Sequence, residues 1–362
     1  MARIFNFSAG PSILPVSVLE KIRDEFVDFK GSGMSLVEMS HRGKIYDAVH
    51  TECIALIKEL LKVPDNYKIM ILGGGATLQF GMLPMNFLWG GKTADFTNTG
   101  AWAKKAADDA KKIGKINIVW DGKADNYMTL PDPKTLVASE GAAYFHMTSN
   151  ETIGGVQWQQ GWPETGNVPI FCDMSSDFMS RPVPVEKFGV IYAGAQKNAG
   201  PAGAAIVIMR EDLLQRCPES IINYLDYRLH AKENSLYNTP PVFSIWGIKL
   251  TMEWLKSIGG LTAAEKLATD RSKIIYDAIE RSNGYYKCPV AAHCRSKMNV
   301  VFRLKTEELE AKFLDEAKKL KLDGLKGHRS VGGCRASVYN AMPIEGAKAL
   351  ANLMDEFAKK NG

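Results

Sequence analysis

Short apolar runs alternate with longer segments of helical periodicity along most of the chain. Apolar runs, which predict buried strands, lie at 67–72, 93–97, 116–120, 142–147, 168–172, 189–192, 204–209, 297–304 and 336–339. Helices are predicted at 16–29, 46–61, 103–113, 132–139, 243–255, 261–280 and 309–320, with two more starting near 78 and 343. This alternation predicts an α/β fold with a mostly parallel central sheet flanked by helices, followed by a smaller C-terminal α/β domain.

The chain is long enough for two domains. Its 362 residues exceed the roughly 250–300 residues at which a single hydrophobic core stops growing. We therefore predict a large domain at 16–260 and a small domain at 261–362, with the change near the pair Gly259 and Gly260. Residues 1–15 contain the breakers Gly10, Pro11 and Pro15 and are predicted to form an arm.

Composition narrows the class of protein. A hydrophobic fraction of 46% and a charged fraction of 23% are typical of a soluble globular protein. The net charge of +5 suits small anionic molecules, and without a dense Lys/Arg tract a nucleic-acid partner is not predicted. The six cysteines form no metal-ligand pattern, so no metal is expected. No signal-peptide core and no apolar run of about 18 residues occurs, which predicts a cytoplasmic protein without a membrane partner.

Lys197 stands in the middle of a run of small residues, 193–203 (AGAQKNAGPAG), between two predicted core strands. Such a lysine can be an ordinary surface cation on a loop. Alternatively, apolar walls remove water from its amine, lower its pKa and make it a nucleophile toward a carbonyl, as in a Schiff base. The lysine by itself favours the first interpretation.

Asp173 changes this balance. It ends the predicted strand 168–172 and precedes Lys197 by 24 residues, enough for a connection and a return to a neighbouring parallel strand. Both side chains are then expected at the carboxyl edge of one sheet, where open α/β folds bind ligands. A carboxylate for a pyridinium nitrogen and a lysine for an aldehyde are the pair that pyridoxal phosphate needs. The alternative for Asp173 is a turn former or helix cap.

A glycine-rich turn, 73–77 (GGGAT), links the predicted strand 67–72 to a predicted helix. Free N–H groups and the positive end of a helix dipole at such a turn predict a phosphate cradle. The turn matches neither a Walker loop nor a dinucleotide fingerprint, and 90–93 (GGKT) lacks the first Walker glycine because Asn86 stands there. A noncatalytic nucleotide-binding module using this turn is an alternative function.

Several long motifs together resemble one enzyme family. The lysine segment is similar to that of the phosphoserine aminotransferases, within the class V group of fold-type-I pyridoxal-phosphate enzymes. Further resemblances, in order, are 5–11 (FNFSAGP), 40–43 (SHRG), 150–152 (NET), 238–241 (NTPP), 326–329 (KGHR) and 335–343 (RASVYNAMP). The resemblance covers nearly the whole chain. Ala9 stands where some members have a second serine beside Ser8, so this chain lacks that hydroxyl.

The resemblance implies pyridoxal 5'-phosphate as cofactor and assigns its surroundings. Lys197 holds the cofactor as a Schiff base and moves the substrate proton, while Asp173 keeps the pyridine nitrogen protonated. Trp102 matches the residue that stacks on the ring, and Thr152 bonds the phenolic oxygen. The phosphate ligands implied are Ala76, Thr77, Gln196 and, from the partner subunit of a homodimer, Asn238 and Thr239.

The resemblance also implies the reaction, an amino transfer between glutamate and 3-phosphohydroxypyruvate in serine biosynthesis. A phosphohydroxythreonine, in vitamin B6 biosynthesis, is a possible second substrate. The expected anion-binding residues are His41, Arg42, His328, Arg329 and Arg335, because a substrate with a phosphate and a carboxylate needs several cations.

Two other enzymes of the same fold stay open. A small-amino-acid transaminase would use the same cofactor pair. A cysteine desulfurase would need a reactive thiol, and Cys334 is the cysteine that stands near a proposed site.

Overall fold

The computed structural model describes residues 3–362, so the first two residues of the predicted arm lie outside the described range. The strands are β1 Phe5–Asn6, β2 Tyr67–Gly73, β3 Thr93–Asn98, β4 Lys115–Asp121, β5 Phe145–Thr148, β6 Ile170–Asp173, β7 Phe188–Gly194, β8 Ala204–Arg210, β9 Asn299–Phe302, β10 Leu322–Asp323 and β11 Cys334–Ser337. The helices are α1 Val16–Glu25, α2 Lys44–Leu61, α3 Gly75–Phe87, α4 Ala101–Ile113, α5 Glu211–Leu214, α6 Tyr227–Lys232, α7 Val242–Ser257, α8 Gly260–Arg281, α9 Glu307–Lys319 and α10 Ile344–Asn361.

A seven-stranded sheet in the order β2-β8-β7-β6-β5-β3-β4 organises most of the chain. Strands β3 to β7 run parallel to one another, and β8 is antiparallel to both β2 and β7. The apolar runs of the central strands are buried on both faces, as expected of parallel strands covered by helices. The predicted α/β fold with a mostly parallel sheet is confirmed.

Helices cover both faces of this sheet with separate apolar cores. In β2, Ile69 and Ile71 belong to one core while Met70 and Leu72 belong to the other, because successive strand residues point to opposite faces. Helix α4 illustrates how a helix joins such a core: four of its five alanines are buried and its lysines are exposed.

A third core lies in the C-terminal part of the chain. Strands β9 and β11 pair antiparallel, and α8, α9 and α10 supply apolar residues around them. The arm joins this core through Phe7, and β1 pairs with β10. Helix α8 contributes to two cores, with Ala264 in a core of the large sheet and Ile275 in the C-terminal core.

Two helix predictions were wrong in extent. The helix predicted at 132–139 is a single 3-10 turn, Pro133–Thr135, in which Asp132 accepts a hydrogen bond from the Lys134 N–H. The following Val137 is 76% exposed, so no apolar face holds a longer helix against the core. Helix α1 ends at Glu25 rather than near 29. Within residues 3–362 no helix is long and apolar enough to cross a membrane.

Candidate active site

The carboxyl ends of two parallel strands bring the predicted lysine and aspartate to one edge of the sheet. Strand β6 ends at Asp173 and pairs with β7, and Lys197 follows three residues after the end of β7 at Gly194. The spacing argument from the sequence therefore describes the observed topology. The site lies where ligands bind in open α/β sheets.

Lys197 is held in a desolvated position, with only 8% of the residue exposed. Its Nζ donates a hydrogen bond to Thr152 Oγ1 at 2.6 Å and lies 5.1 Å from the centre of the Trp102 ring. Burial lowers the pKa of Lys197 to about 8, although the negative charges of Asp173 and Glu151 act in the opposite direction. An amine with this pKa has a substantial neutral, nucleophilic fraction near neutral pH.

Asp173 is buried beside the lysine and is oriented by Ser175. The Ser175 N–H and hydroxyl both donate to Asp173 Oδ1, at 2.8 and 2.5 Å, and the Gly194 N–H donates to Ser175 Oγ at 3.0 Å. Burial raises the pKa of Asp173, while the charge of Lys197 and the bonds from Ser175 lower it. The sequence analysis missed Ser175, for which the Asx-turn pattern Asp-x-Ser was the available signal.

The glycine-rich turn has the geometry of an anion cradle. Gly74 and Gly75 have φ of +89° and +63°, conformations that favour glycine, and α3 begins at Gly75. Ala76 is half-buried and Thr77 exposed in the first turn of α3. Within the described chain no side chain caps this turn, so its N–H groups are available to an anion.

The other predicted phosphate ligands lie on two loops. Gln196 is half-buried next to the lysine, and its backbone carbonyl accepts a hydrogen bond from the Ser12 N–H of the arm at 3.0 Å. The Asn238 side chain donates to the carbonyl of the exposed Thr239 at 2.9 Å. Asn238 also lines a small pocket together with Gly73 of the same chain.

Arg335 reaches the lysine from the C-terminal part of the chain. Its Nη1 donates to the Thr152 carbonyl at 3.2 Å, and its buried Nε has no partner in residues 3–362. Burial lowers the pKa of Arg335. A buried guanidinium nitrogen without a partner is the group expected where an anionic ligand binds.

A cavity of about 470 Å³ is lined by both Arg335 and His328. Burial lowers the pKa of His328, and the positive charges of Arg335, Arg329 and Lys105 lower it further. Three positive charges therefore act on His328. Lys105, on α4, was not predicted from the sequence, where it was part of a lysine-rich helix.

His41 and Arg42 are not brought to this cavity within one chain. They lie on the turn before α2, where His41 is half-buried and Arg42 is exposed. Neither lines the cavity that contains Arg335 and His328. In the part of the chain that the structure describes, the buried Nε2 of His41 has no hydrogen-bond partner.

These residues suit pyridoxal phosphate. The buried amine of Lys197 and the carboxylate of Asp173 lie at one sheet edge, the flat face of Trp102 lies beside the amine, and the open first turn of α3 suits a phosphate. Such an arrangement defines the class of fold-type-I pyridoxal-phosphate enzymes. The family model described as aminotransferase class-V matches residues 4–350, and the chain belongs to this family.

Within this family, the chain is similar over its full length to phosphoserine aminotransferases. The chain is 50% identical over 359 residues to the phosphoserine aminotransferase of Lysinibacillus sphaericus, with 99% of both chains covered. The solved phosphoserine aminotransferase of Bacillus circulans subsp. alkalophilus superposes with a TM-score of 0.98 at 48% identity, covering 99% of each chain. That of Trichomonas vaginalis, solved with pyridoxal phosphate bound, has a TM-score of 0.92 at 40% identity, covering 98% of this chain and 100% of its own.

Proposed function

We propose that the protein is a pyridoxal-phosphate-dependent transaminase that moves an amino group between glutamate and 3-phosphohydroxypyruvate, giving 2-oxoglutarate and O-phosphoserine. The carrying observation is the buried Lys197, whose Nζ contacts Thr152 at 2.6 Å and whose charge acts on the buried Asp173. Full-length similarity to phosphoserine aminotransferases supports the substrate and the place of the reaction in serine biosynthesis.

Each residue of the site has a defined task in this proposal. When bound, pyridoxal phosphate supplies an aldehyde and an electron-withdrawing ring. The Lys197 amine would hold the cofactor covalently between turnovers and carry the proton from the substrate α-carbon. Asp173 would keep the pyridine nitrogen protonated, and Thr152 would donate to the phenolic oxygen. Trp102 would pack on the ring, and Gln196 and the first turn of α3, with Ala76 and Thr77, would hold the phosphate.

The substrate pocket is proposed to be strongly cationic. Arg335, His328 and Arg329 supply positive charge or donors, and Lys105 adds a further charge that acts on His328. A substrate with both a phosphate and a carboxylate is stabilised by such a cluster, whereas a neutral amino acid uses only part of it. This argument favours phosphoserine over the substrates of a small-amino-acid transaminase.

The complete site is proposed to need a homodimer. Asn238 and Thr239 of one chain are assigned to the cofactor phosphate of the partner, and His41 and Arg42 to substrate binding. Exposed apolar side chains support an interface: Val27 is 80% exposed. The exposed rings of Phe26 and Phe243 lie 6.2 Å apart between centroids. Contiguous exposed apolar groups of this kind mark contact surfaces.

The desulfurase alternative is not supported by the local chemistry. Cys334 is buried in β11, and burial raises the pKa of its thiol to about 12. A desulfurase needs an accessible thiolate, and a thiol with this pKa is neutral near pH 7. The cytoplasmic location and a second role with a phosphohydroxythreonine both stay predictions of the sequence.

The direct test is a coupled assay of phosphoserine-dependent glutamate formation from 2-oxoglutarate. We expect Lys197→Ala to lose at least about a thousandfold in kcat, because the amine that carries the proton is removed. The matched control is Lys266→Ala on the exposed side of α8, which removes an ion pair with Asp270 and no site group. Near-normal turnover by Lys197→Ala would falsify the assignment. The same assay with a phosphohydroxythreonine tests the second substrate.

A further inference from the structure

Glu151 is a fully buried acid at the edge of the active site to which the sequence analysis gave no task. It has 0% exposure and directly precedes Thr152, the residue that contacts the Lys197 amine. Buried carboxyl groups are costly unless they are hydrogen-bonded. Its partners therefore indicate why the fold holds an acid at this position.

The carboxyl group of Glu151 binds the first turn of α4. The Trp102 N–H donates to Oε2 at 3.1 Å, and the Ala103 N–H donates to Oε1 at 2.9 Å. The Thr99 hydroxyl donates to Oε1 at 3.4 Å. These are N–H groups that a helix leaves without internal partners, and negative charge is favourable at this end of the helix dipole.

The residue at the start of α4 leaves room for this distant cap. Gly100 occupies the N-cap position and has no side chain with which to bind the first turn. A Cβ atom added there would lie 2.7 Å from Glu151 Cδ and 2.9 Å from Oε2, too close for an ordinary contact. The glycine thus leaves the space that the glutamate occupies. As a result, the side chain of Glu151, which follows β5, caps α4, which follows β3.

The consecutive residues Glu151 and Thr152 consequently bind two neighbouring parts of the site. Glu151 holds the backbone of Trp102, and Thr152 holds the amine of Lys197. The Trp102 ring and the Lys197 Nζ are 5.1 Å apart. A shift of the first turn of α4 would change the distance between the ring and the amine.

We propose that Glu151 is a positioning residue that sets the Trp102 ring relative to the reactive amine by capping α4 from outside the helix. The inference rests on the proposed function, because Trp102 is the assigned stacking group of that site. Burial raises the pKa of Glu151 to about 7, while its bonds from Ala103 and Trp102 and the charge of Lys197 lower it. Glu151 thus interacts with the site in two ways, through the charge of Lys197 and through its hydrogen bond to the Trp102 backbone.

The test compares Glu151→Gln with wild type, both loaded with pyridoxal phosphate. Glutamine keeps the size of the side chain, but its NH₂ group meets an N–H donor of α4 and cannot accept a hydrogen bond. We expect whichever of the Trp102 and Ala103 amide hydrogens faces the NH₂ group to exchange at least about tenfold faster, and the visible circular dichroism of the bound cofactor to weaken. We also expect kcat to fall at least about fivefold with little change in KM.

The matched control removes a cap on a helix outside the site. Thr306 caps α9 by accepting a hydrogen bond from the Leu309 N–H at 3.3 Å. Thr306→Ala should speed exchange at the start of α9 and leave kcat and the cofactor dichroism unchanged. If Glu151→Gln unfolds, Gly100→Ala tests the same arrangement from the other side, since its Cβ displaces the carboxylate while Glu151 remains.

Three results would overturn the inference. The first is unchanged exchange at Trp102 and Ala103 in both Glu151→Gln and Gly100→Ala. The second is faster exchange with unchanged kcat and dichroism, which would reduce Glu151 to a structural cap. The third is a change confined to KM. Failure of the proposed function is a separate outcome, because wild type would then show no phosphoserine turnover while exchange and dichroism still report on α4.

Discussion

At the scale of single residues, burial shifts the pKa values of the two central groups, and neighbouring charges and hydrogen bonds offset part of each shift. Burial lowers the pKa of Lys197 to about 8 and raises that of Asp173, and each charge partly offsets the shift of the other. The fold keeps both in place with short local bonds, from Lys197 to Thr152 and from Ser175 to Asp173. The reactivity of the lysine thus follows from its surroundings.

Covalent uptake of pyridoxal phosphate by the cofactor-free protein should follow the titration of Lys197. Only the neutral amine reacts, so the rate should rise about tenfold per pH unit at low pH and level off above about pH 8. Borohydride trapping followed by peptide mapping measures attachment at this residue. A free lysine derivative, with a pKa near 10.4, serves as the comparison. A rate for Lys197 that keeps rising to pH 10 would contradict the lowered pKa.

Ser175→Ala should raise the pKa of Asp173, because the lost hydroxyl bond favours the ionised carboxylate. We expect kcat to fall about tenfold, and the acidic limb of its pH profile to move to higher pH. The control is Ser180→Ala, which removes another buried hydroxyl, one that donates to the Asp177 carbonyl. Equal pH profiles of kcat for the two variants would show that Ser175 does not control the pKa of Asp173.

At the scale of elements, the start of α3 decides where an anion can bind. Strand β2 ends at Gly73, and the positive φ of Gly74 and Gly75 turns the chain directly into the helix. The first-turn N–H groups consequently have no capping side chain in residues 3–362. The run of small residues in the sequence is a requirement of this tight turn.

Gly74→Ala should weaken the binding of pyridoxal phosphate about tenfold. Alanine at φ +89° is strained, and its Cβ would lie 2.7 Å from Leu78 Cδ2, so the first turn of α3 has to move. Gly141→Ala is the matched control, since Gly141 also has positive φ but open space around it. Both variants should lose some stability in urea unfolding. Equal cofactor affinity in the two, measured by titration, would argue against the cradle.

At the scale of the whole molecule, the site draws on both parts of the chain. Arg335 comes from β11 and contacts the loop after β5, and the arm reaches the lysine loop through the bond from Ser12. Helix α8 runs from a core of the large sheet into the C-terminal core. The division into domains at 16–260 and 261–362 stays a prediction, and a rigid-body analysis of loaded and substrate-bound forms would test it.

Mixing two inactive variants tests the homodimer and the sharing of its sites. Lys197→Ala lacks the amine, and the double variant Asn238→Ala with Thr239→Ala lacks the groups assigned to the partner. After subunit exchange, a mixed dimer has one site with every group intact, so activity should return to about a quarter of wild type.

The control for this experiment mixes Lys197→Ala with a variant that carries Lys197→Ala together with both loop substitutions. This mixture has no site with the amine and should stay inactive. If Asn238 and Thr239 serve their own chain instead, the first mixture also stays inactive, and the proposed sharing is refuted. Sedimentation at several dilutions establishes in parallel whether a dimer is present.

The amino-acid sequence by itself was sufficient to predict the core strands, the location of the site and the family. Apolar runs of the right length predicted the core strands, because burial on both faces requires continuous apolar sequence. The interval from Asp173 to Lys197 predicted one shared sheet edge, because chain length limits how two parallel strands connect. The sequence motifs predicted the family and, through the resemblance, the residues that bind its cofactor.

Only the tertiary structure decided which distant groups touch. Ser175, Glu151 and Lys105 stood in the sequence as ordinary polar residues, and their tasks depend on partners brought close by folding. The wrong helix prediction at 132–139 has the same cause. A helix is stable where its apolar face packs against a core, and Val137 is exposed to solvent instead. Local sequence carries propensity and spacing, whereas contacts, burial and shifted pKa values arise from the packing of segments far apart in the chain.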